Sequence, residues 1–266
     1  MIRGAPAVCG GAEAGSIAGM AGRSRKARAS EPADSARRTR RNREGEPRWP
    51  VALAVLVAIA LYALLPESLL FAPRLLIPGL ELALLVALVV HSPRRLTKQT
   101  RWSRVASLGL AALVMLTNLV ALGLLVADLV QSSPGGPELL LAASQVWATN
   151  VIAFALLYWD LDRGGPVARV SLPRERLPLA DFRFTQDETA DTVVEVAAGS
   201  SQKADWIPLF VDYLYLSTTN SSAFSPTDTM PLSPRAKMLM GLQATAALFT
   251  SLLVIARAVG SLGGGG

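Results

Sequence analysis

The chain has 266 residues, of which 51% are apolar, 17% charged and 6% aromatic, with a positive mean hydropathy and a formal net charge of +6. Soluble domains carry about 25% charged residues, so the deficit excludes an ordinary globular protein. A lone Cys9 excludes a disulfide framework, and Cys9 with the lone His91 cannot complete a tetrahedral zinc site, so neither a metal nor a cofactor is expected.

Residues 1–48 hold eleven Lys/Arg against five acids, which is the whole net charge; from Trp49 onward fifteen basic and fifteen acidic residues cancel. This arm is rich in Ala, Gly, Ser and Arg and has no apolar periodicity, which predicts disorder. Its charge suits anionic lipid headgroups of a bilayer. No aromatic side chain interleaves its arginines, so nucleic acid is not expected as a partner. Arg37-Arg38 and Arg40-Arg41 precede an apolar run with no small-residue cleavage site behind it, and that run is expected to stay as an anchor.

Apolar runs follow at 49–65, 75–90, 105–127 and 139–159, each bounded by Pro or by charge. Residues 160–205 are too charged for lipid and read as a loop. Residues 207–225 are half apolar and half hydroxyl-rich, residues 236–259 form the last apolar run, and Gly263 opens a flexible glycine tail. The sequence therefore predicts an all-α membrane bundle of six spans; five spans plus a re-entrant segment at 207–225 is the alternative. Arg94, Arg95, Lys98, Arg101 and Arg104 between the second and third runs, and the arginines after residue 160, place the arm and both basic loops on the cytoplasmic side.

The densest polar constellation is in the C-terminal membrane hairpin, 206–259. Asp212, Ser217, Thr218, Thr219, Asn220, Ser221, Ser222 and Asp228 fall in or beside an apolar segment, where they could bond across helices or line a wet path. A short helix, Thr-Thr, a loop with Asp and a long apolar helix give a distant likeness to a potassium-channel pore. Such a filter needs glycines, and none occurs between Thr218 and Asp228. Asp160 and Asp162 stand at the cytoplasmic end of the fourth run and are expected to pair with Arg163, Arg169 or the basic loop; two carboxylates alone would hold Mg²⁺ weakly. Within apolar runs, Glu81 is expected to pair with Arg74, Asn118 with Asn150, and Asp212 with Arg257.

Three pieces, TNVIAFALLYWDLDRGGP (149–166), DFRF (181–184) and FVDYLYLSTTNSSAFSPTDTMPLSPRAKMLMGLQ (210–243), resemble an uncharacterised family of bacterial multi-pass membrane proteins. The resemblance spans about 139–259. It implies a multi-pass protein of the bacterial cytoplasmic membrane and assigns no activity. HExxH, G-x-S-x-G and phosphate-loop patterns are missing from the sequence, so no enzyme is expected. The expected role is a non-enzymatic scaffold or regulatory membrane component, with homo-oligomerisation left open. The alternative is an ion- or solute-conducting channel lined by residues 217–222.

Overall fold

The computed structural model describes residues 46–91, 100–131, 136–172, 176–187, 207–222 and 228–263. The predicted arm, apart from Glu46–Arg48, and most of the loop at 160–205 beyond Asp187 lie outside the described residues. Seven α-helices occur among those described: α1 Trp49–Ala63, α2 Leu76–His91, α3 Arg101–Gln131, α4 Gly136–Leu161, α5 Pro166–Ser171, α6 Phe210–Ser222 and α7 Pro234–Gly263. Two short strands, β1 Phe182–Arg183 and β2 Met230–Pro231, pair antiparallel with Phe182 opposite Pro231. The chain is all-α in class.

Three stretches are long and apolar enough to cross a membrane: Arg101–Asp128, Glu138–Gly164 and Pro234–Ile255. Trp49–Ala63 and Leu76–Val90 are apolar but shorter. α4 is the axis of the bundle. It packs against α1, α3, α6 and α7, and residues 151–160 are buried without interruption. The other helices bury one stripe each. On α1 it is Val51, Ala54, Val55, Ala58 and Tyr62, and on α2 it is Ile77, Glu81, Leu85 and Leu88, both at helical spacing. Large apolar side chains such as Leu53, Leu80, Val86, Leu116, Leu141, Phe249 and Ile255 face outward.

The end of α4 is shaped by its sequence. Arg163, Gly164 and Gly165 take φ of 51°, 80° and 93° in succession, a left-handed run that two glycines make accessible. A Cβ on Gly164 would lie 3.0 Å from the Pro178 side chain, so a close approach also requires the glycine. Pro166 then opens α5 at a position where its missing N–H costs nothing.

The six spans of the sequence reading are not confirmed, and α6 is the element on which the count turns. Its 13 described residues make about 20 Å of helix. Its first residue, Phe210, sits against Trp159 near the end of α4, and Ser217 reaches Val151 further in. The chain then reappears at β2, where the Leu232 N–H donates to the Asp181 carbonyl back at the starting end. α6 thus enters the bundle and the chain returns to the same end. Asp212 and residue 257 consequently lie at opposite ends: α7 starts with Arg235 beside Asp181, and residue 257 is about 33 Å further along the helix. The expected Asp212–Arg257 pair is ruled out by this direction of travel.

Buried apolar side chains divide into two clusters along the helix axes. The near cluster, at the end where α4 finishes, contains Val55, Leu85, Val114, Phe154, Phe182 and Tyr213. The far cluster contains Tyr62, Ile77, Ala121, Val146 and Ala246.

Candidate functional site

A buried polar network closes the near end of the bundle. Asp162 is fully buried and carries four contacts. Its Oδ1 accepts the Asp181 N–H at 2.7 Å and the Phe182 N–H at 3.4 Å, and its Oδ2 accepts the Tyr213 hydroxyl at 2.6 Å and lies 3.5 Å from Arg163 Nε. Asp181 in turn accepts a bidentate pair from Arg235, with Nε at 2.7 Å and Nη2 at 2.5 Å, and also the Ser233 hydroxyl. Ser233 doubles as the N-cap of α7, accepting the Ala236 N–H, with Pro234 behind it in the first turn. Arg169 is buried, donates from Nη1 to the carbonyls of Trp159 and Asp162 at 2.8 and 2.9 Å, and stacks over the Tyr213 ring at 5.1 Å. Phe182 and Phe184 meet Tyr213 edge-on, and Phe182 also meets Tyr158. The three sequence segments that carry the family resemblance converge here, through Asp162, Asp181 with Phe182, and Tyr213 with Arg235.

Asp160 does not take the arginine pairing expected of it. Its Oδ2 accepts the Ser107 hydroxyl at 2.5 Å, fixing α3 against α4, while Arg104 reaches the Gly164 carbonyl one turn away. Asp162 does meet Arg163, with Arg169 touching its carbonyl in place of its carboxylate. Among the described residues no group of three or more acids, His or Cys could hold a metal.

Sequence reasoning missed Glu46, which it placed in the arm. Glu46 is buried, its Oε2 accepting the Trp159 indole N–H at 2.8 Å and its Oε1 the Phe210 backbone N–H at 2.6 Å. Burial pushes its carboxyl above the ordinary range, against the two donors, which favour the ionised form. Arg48 reaches the Leu88 carbonyl at 2.6 Å. Residues 46–48 therefore belong to the fold, and one acid in a basic tract gave no periodic signal that it would.

The hydroxyl run on α6 is engaged within the protein. Ser217 donates to the Val151 carbonyl at 2.6 Å; Thr218, Thr219 and Ser222 donate back to the carbonyls of Leu214, Tyr215 and Thr218, four residues earlier. Gln243 of α7, fully buried, ties the rest together. Its Oε1 accepts from Tyr158 at 2.6 Å and Asn220 at 2.8 Å, and its Nε2 donates to Ser217 and Ser221. A lone glutamine in an apolar run was the available signal, and it was overlooked. Asp212 caps its own helix, accepting the Leu209 N–H at 2.7 Å, in the reach-back geometry of a capping box. Asp228 is exposed.

Two other expected pairs do not form. Arg74 lies 3.7 Å from Glu67 and donates to the Ala63 carbonyl, leaving Glu81 buried apart from it. Asn118 and Asn150 are both buried but not hydrogen-bonded to each other. No protein-family model, curated protein or solved structure matches the chain.

Proposed function

We propose that the chain is a multi-pass protein of the bacterial cytoplasmic membrane, akin to the uncharacterised family its three segments resemble, and that it works as a non-enzymatic scaffold or regulatory component. In this reading α1, α2, α3, α4 and α7 cross the bilayer and α6 is a re-entrant helix. The near end faces the cytoplasm, where the basic arm lies against anionic headgroups. The outward Leu, Val, Ile and Phe side chains along these helices support embedding, since a soluble protein rarely leaves so much apolar surface uncovered.

One observation carries the preference for a scaffold over a pore. Every side chain from Ser217 to Ser222 makes a hydrogen bond inside the protein, to its own helix or to α4 or α7, which favours a structural role for the segment over a solvated pore lining. Reconstitution into proteoliposomes tests this: the scaffold reading expects no flux of small ions or solutes above empty vesicles. Selective flux abolished by Thr218→Val or Asn220→Leu would replace it with the channel. Reporter fusions after residue 48 and at residue 232 should both report the cytoplasm, whereas a six-span protein would put residue 232 outside.

A further inference from the structure

At the near end of the bundle, α1–α4 leave a cavity of about 50 Å³ between them. Its charged and hydroxyl lining is Arg48 at the start of α1, Ser103 and Ser107 on the first turns of α3, and Asp160 on the last turn of α4. Deeper on the same four helices, Val55, Leu85, Leu110 and Leu156 make an aliphatic floor. The polar groups therefore stand at the mouth and upper wall. Arg48 and Ser103 are half-buried, and Trp49 and Trp102, beside them in sequence, are 68% and 54% exposed. Exposed tryptophans at helix starts favour the level of lipid headgroups, which puts the mouth of the cavity at that level.

Asp160 is 3% exposed, yet only one of its oxygens is engaged among the described residues. Oδ2 accepts the Ser107 hydroxyl, and no hydrogen bond or ion pair reaches Oδ1. Arg104 and Arg169 direct donors to the carbonyls of Gly164, Trp159 and Asp162, and neither lines the cavity. Buried carboxylate oxygens normally meet a donor, and a cationic donor meets them most strongly. The cavity that Asp160 lines is the space in which such a donor fits.

We propose that this cavity receives the ammonium end of a phosphatidylethanolamine headgroup, with Asp160 holding the ammonium and Arg48 the phosphate at the mouth. The opposite charges of the two side chains match a zwitterion, and size selects among zwitterionic lipids. A water molecule needs about 10–15 Å³ of such a cavity, so three or four non-hydrogen atoms fill it. The aminoethyl arm beyond the phosphate has three. The trimethylated arm of phosphatidylcholine has six and offers no N–H to Asp160. An anionic headgroup with a neutral arm would leave the Asp160 charge unmatched in a buried place. The assignment rests on the membrane reading of the chain and adds to it a lipid of defined chemistry.

The test uses the full chain in detergent, with phosphatidylethanolamine or phosphatidylcholine of the same acyl chains titrated in as mixed micelles and the thermal midpoint recorded. Both lipids carry a phosphate and no net charge, so attraction to the basic arm is common to the two. Phosphatidylethanolamine should give a saturable rise on the order of 5 °C, well above that of phosphatidylcholine. Asp160→Asn keeps an acceptor for the Ser107 hydroxyl and should fold, yet lose the phosphatidylethanolamine response. Ala52→Leu, at a half-buried position in the cavity wall, should lose it by filling the space. Equal rises with the two lipids would overturn the proposal, as would a phosphatidylethanolamine response kept by either variant. Resistance to alkaline extraction from membranes is read separately. Extraction of the protein would overturn the membrane reading, whereas an embedded protein that does not tell the two lipids apart would overturn the site alone.

Discussion

The near end of the bundle and its middle both bury polar side chains, and the acids of the one and the amides of the other are in opposite conditions, although Arg169 at the near end also keeps Nε and Nη2 without a partner. At the near end Asp162, Asp181 and Glu46 have their oxygens met by backbone N–H, hydroxyl, indole or guanidinium donors. About 16 Å deeper along α4, Asn118 and Asn150 have amide atoms that nothing meets. A satisfied network fixes which elements touch, and its loss leaves buried charge or buried donors behind. An unsatisfied layer contributes nothing to that specification and costs stability unless something fills it. The first region therefore ties α4, α6, β1 and α7 to one another, and the second does not bind its helices through these amides.

The comparison breaks most easily at Asp162. Asp162→Ala would orphan the Tyr213 hydroxyl and two backbone N–H groups and leave Arg163 without its closest acid, at a cost of about 3–5 kcal/mol. The expected result is loss of folded protein, or a large fall in the thermal midpoint in detergent, with Asp162→Asn in between because it keeps the shape and one acceptor. A midpoint within 2 °C of wild type for Asp162→Ala would mean that this network does not hold α6 and β1 in place. Next in size is Gln243→Leu, which leaves the Tyr158 hydroxyl and Asn220 unmet and should cost about 1–3 kcal/mol. Adding Tyr158→Phe should recover part of that loss, and a double-mutant cycle measures the coupling.

Much of this fold was legible in the sequence, and the misses share a cause. The five apolar runs that became α1–α4 and α7 carry few charges, so hydropathy alone located them. The stretch at 207–225 has length and hydropathy enough to cross; what brings the chain after it back beside Asp181 is the pairing of β2 with β1, which is tertiary. Asp160 and Asp162 were legible as a helix end rich in turn chemistry, but their partners Ser107, Tyr213 and the Asp181 N–H come from far along the chain. Glu46 is the extreme case: its donors belong to residues 159 and 210, and nothing local marks it.

Glu46 gives a smaller, pH-dependent effect. Its carboxyl titrates higher in the folded chain than its ordinary value of 4.5, because burial outweighs the Trp159 and Phe210 donors. The folded state therefore holds the proton after the unfolded chain has released it. The stabilising contribution is complete below the ordinary value and is lost as pH rises through the folded one. Thermal midpoints across that window should fall less steeply with pH in Glu46→Gln than in the wild type. Glutamine keeps a single acceptor for two donors, so it also lowers the midpoint by a pH-independent amount. The difference in slope is the diagnostic quantity.

The smallest expected effect tests the comparison most sharply. Asn150→Leu should leave stability within about 0.5 kcal/mol of wild type. Removing Asn150 takes away two buried polar atoms that have no partner, so no bond is lost and a desolvation penalty is relieved. Leucine keeps asparagine's branching and its number of side-chain heavy atoms, which limits strain in a helix where residues 151–160 are buried without interruption. Gln243→Leu is chemically a similar change at a similar depth, yet it removes bonds to Tyr158, Asn220, Ser217 and Ser221. The two substitutions should therefore differ by at least 1 kcal/mol in the same buffer, measured as unfolding midpoints of the two purified variants. If Asn150→Leu proves as damaging as Gln243→Leu, Asn150 is already satisfied and the middle of the bundle is built like its end.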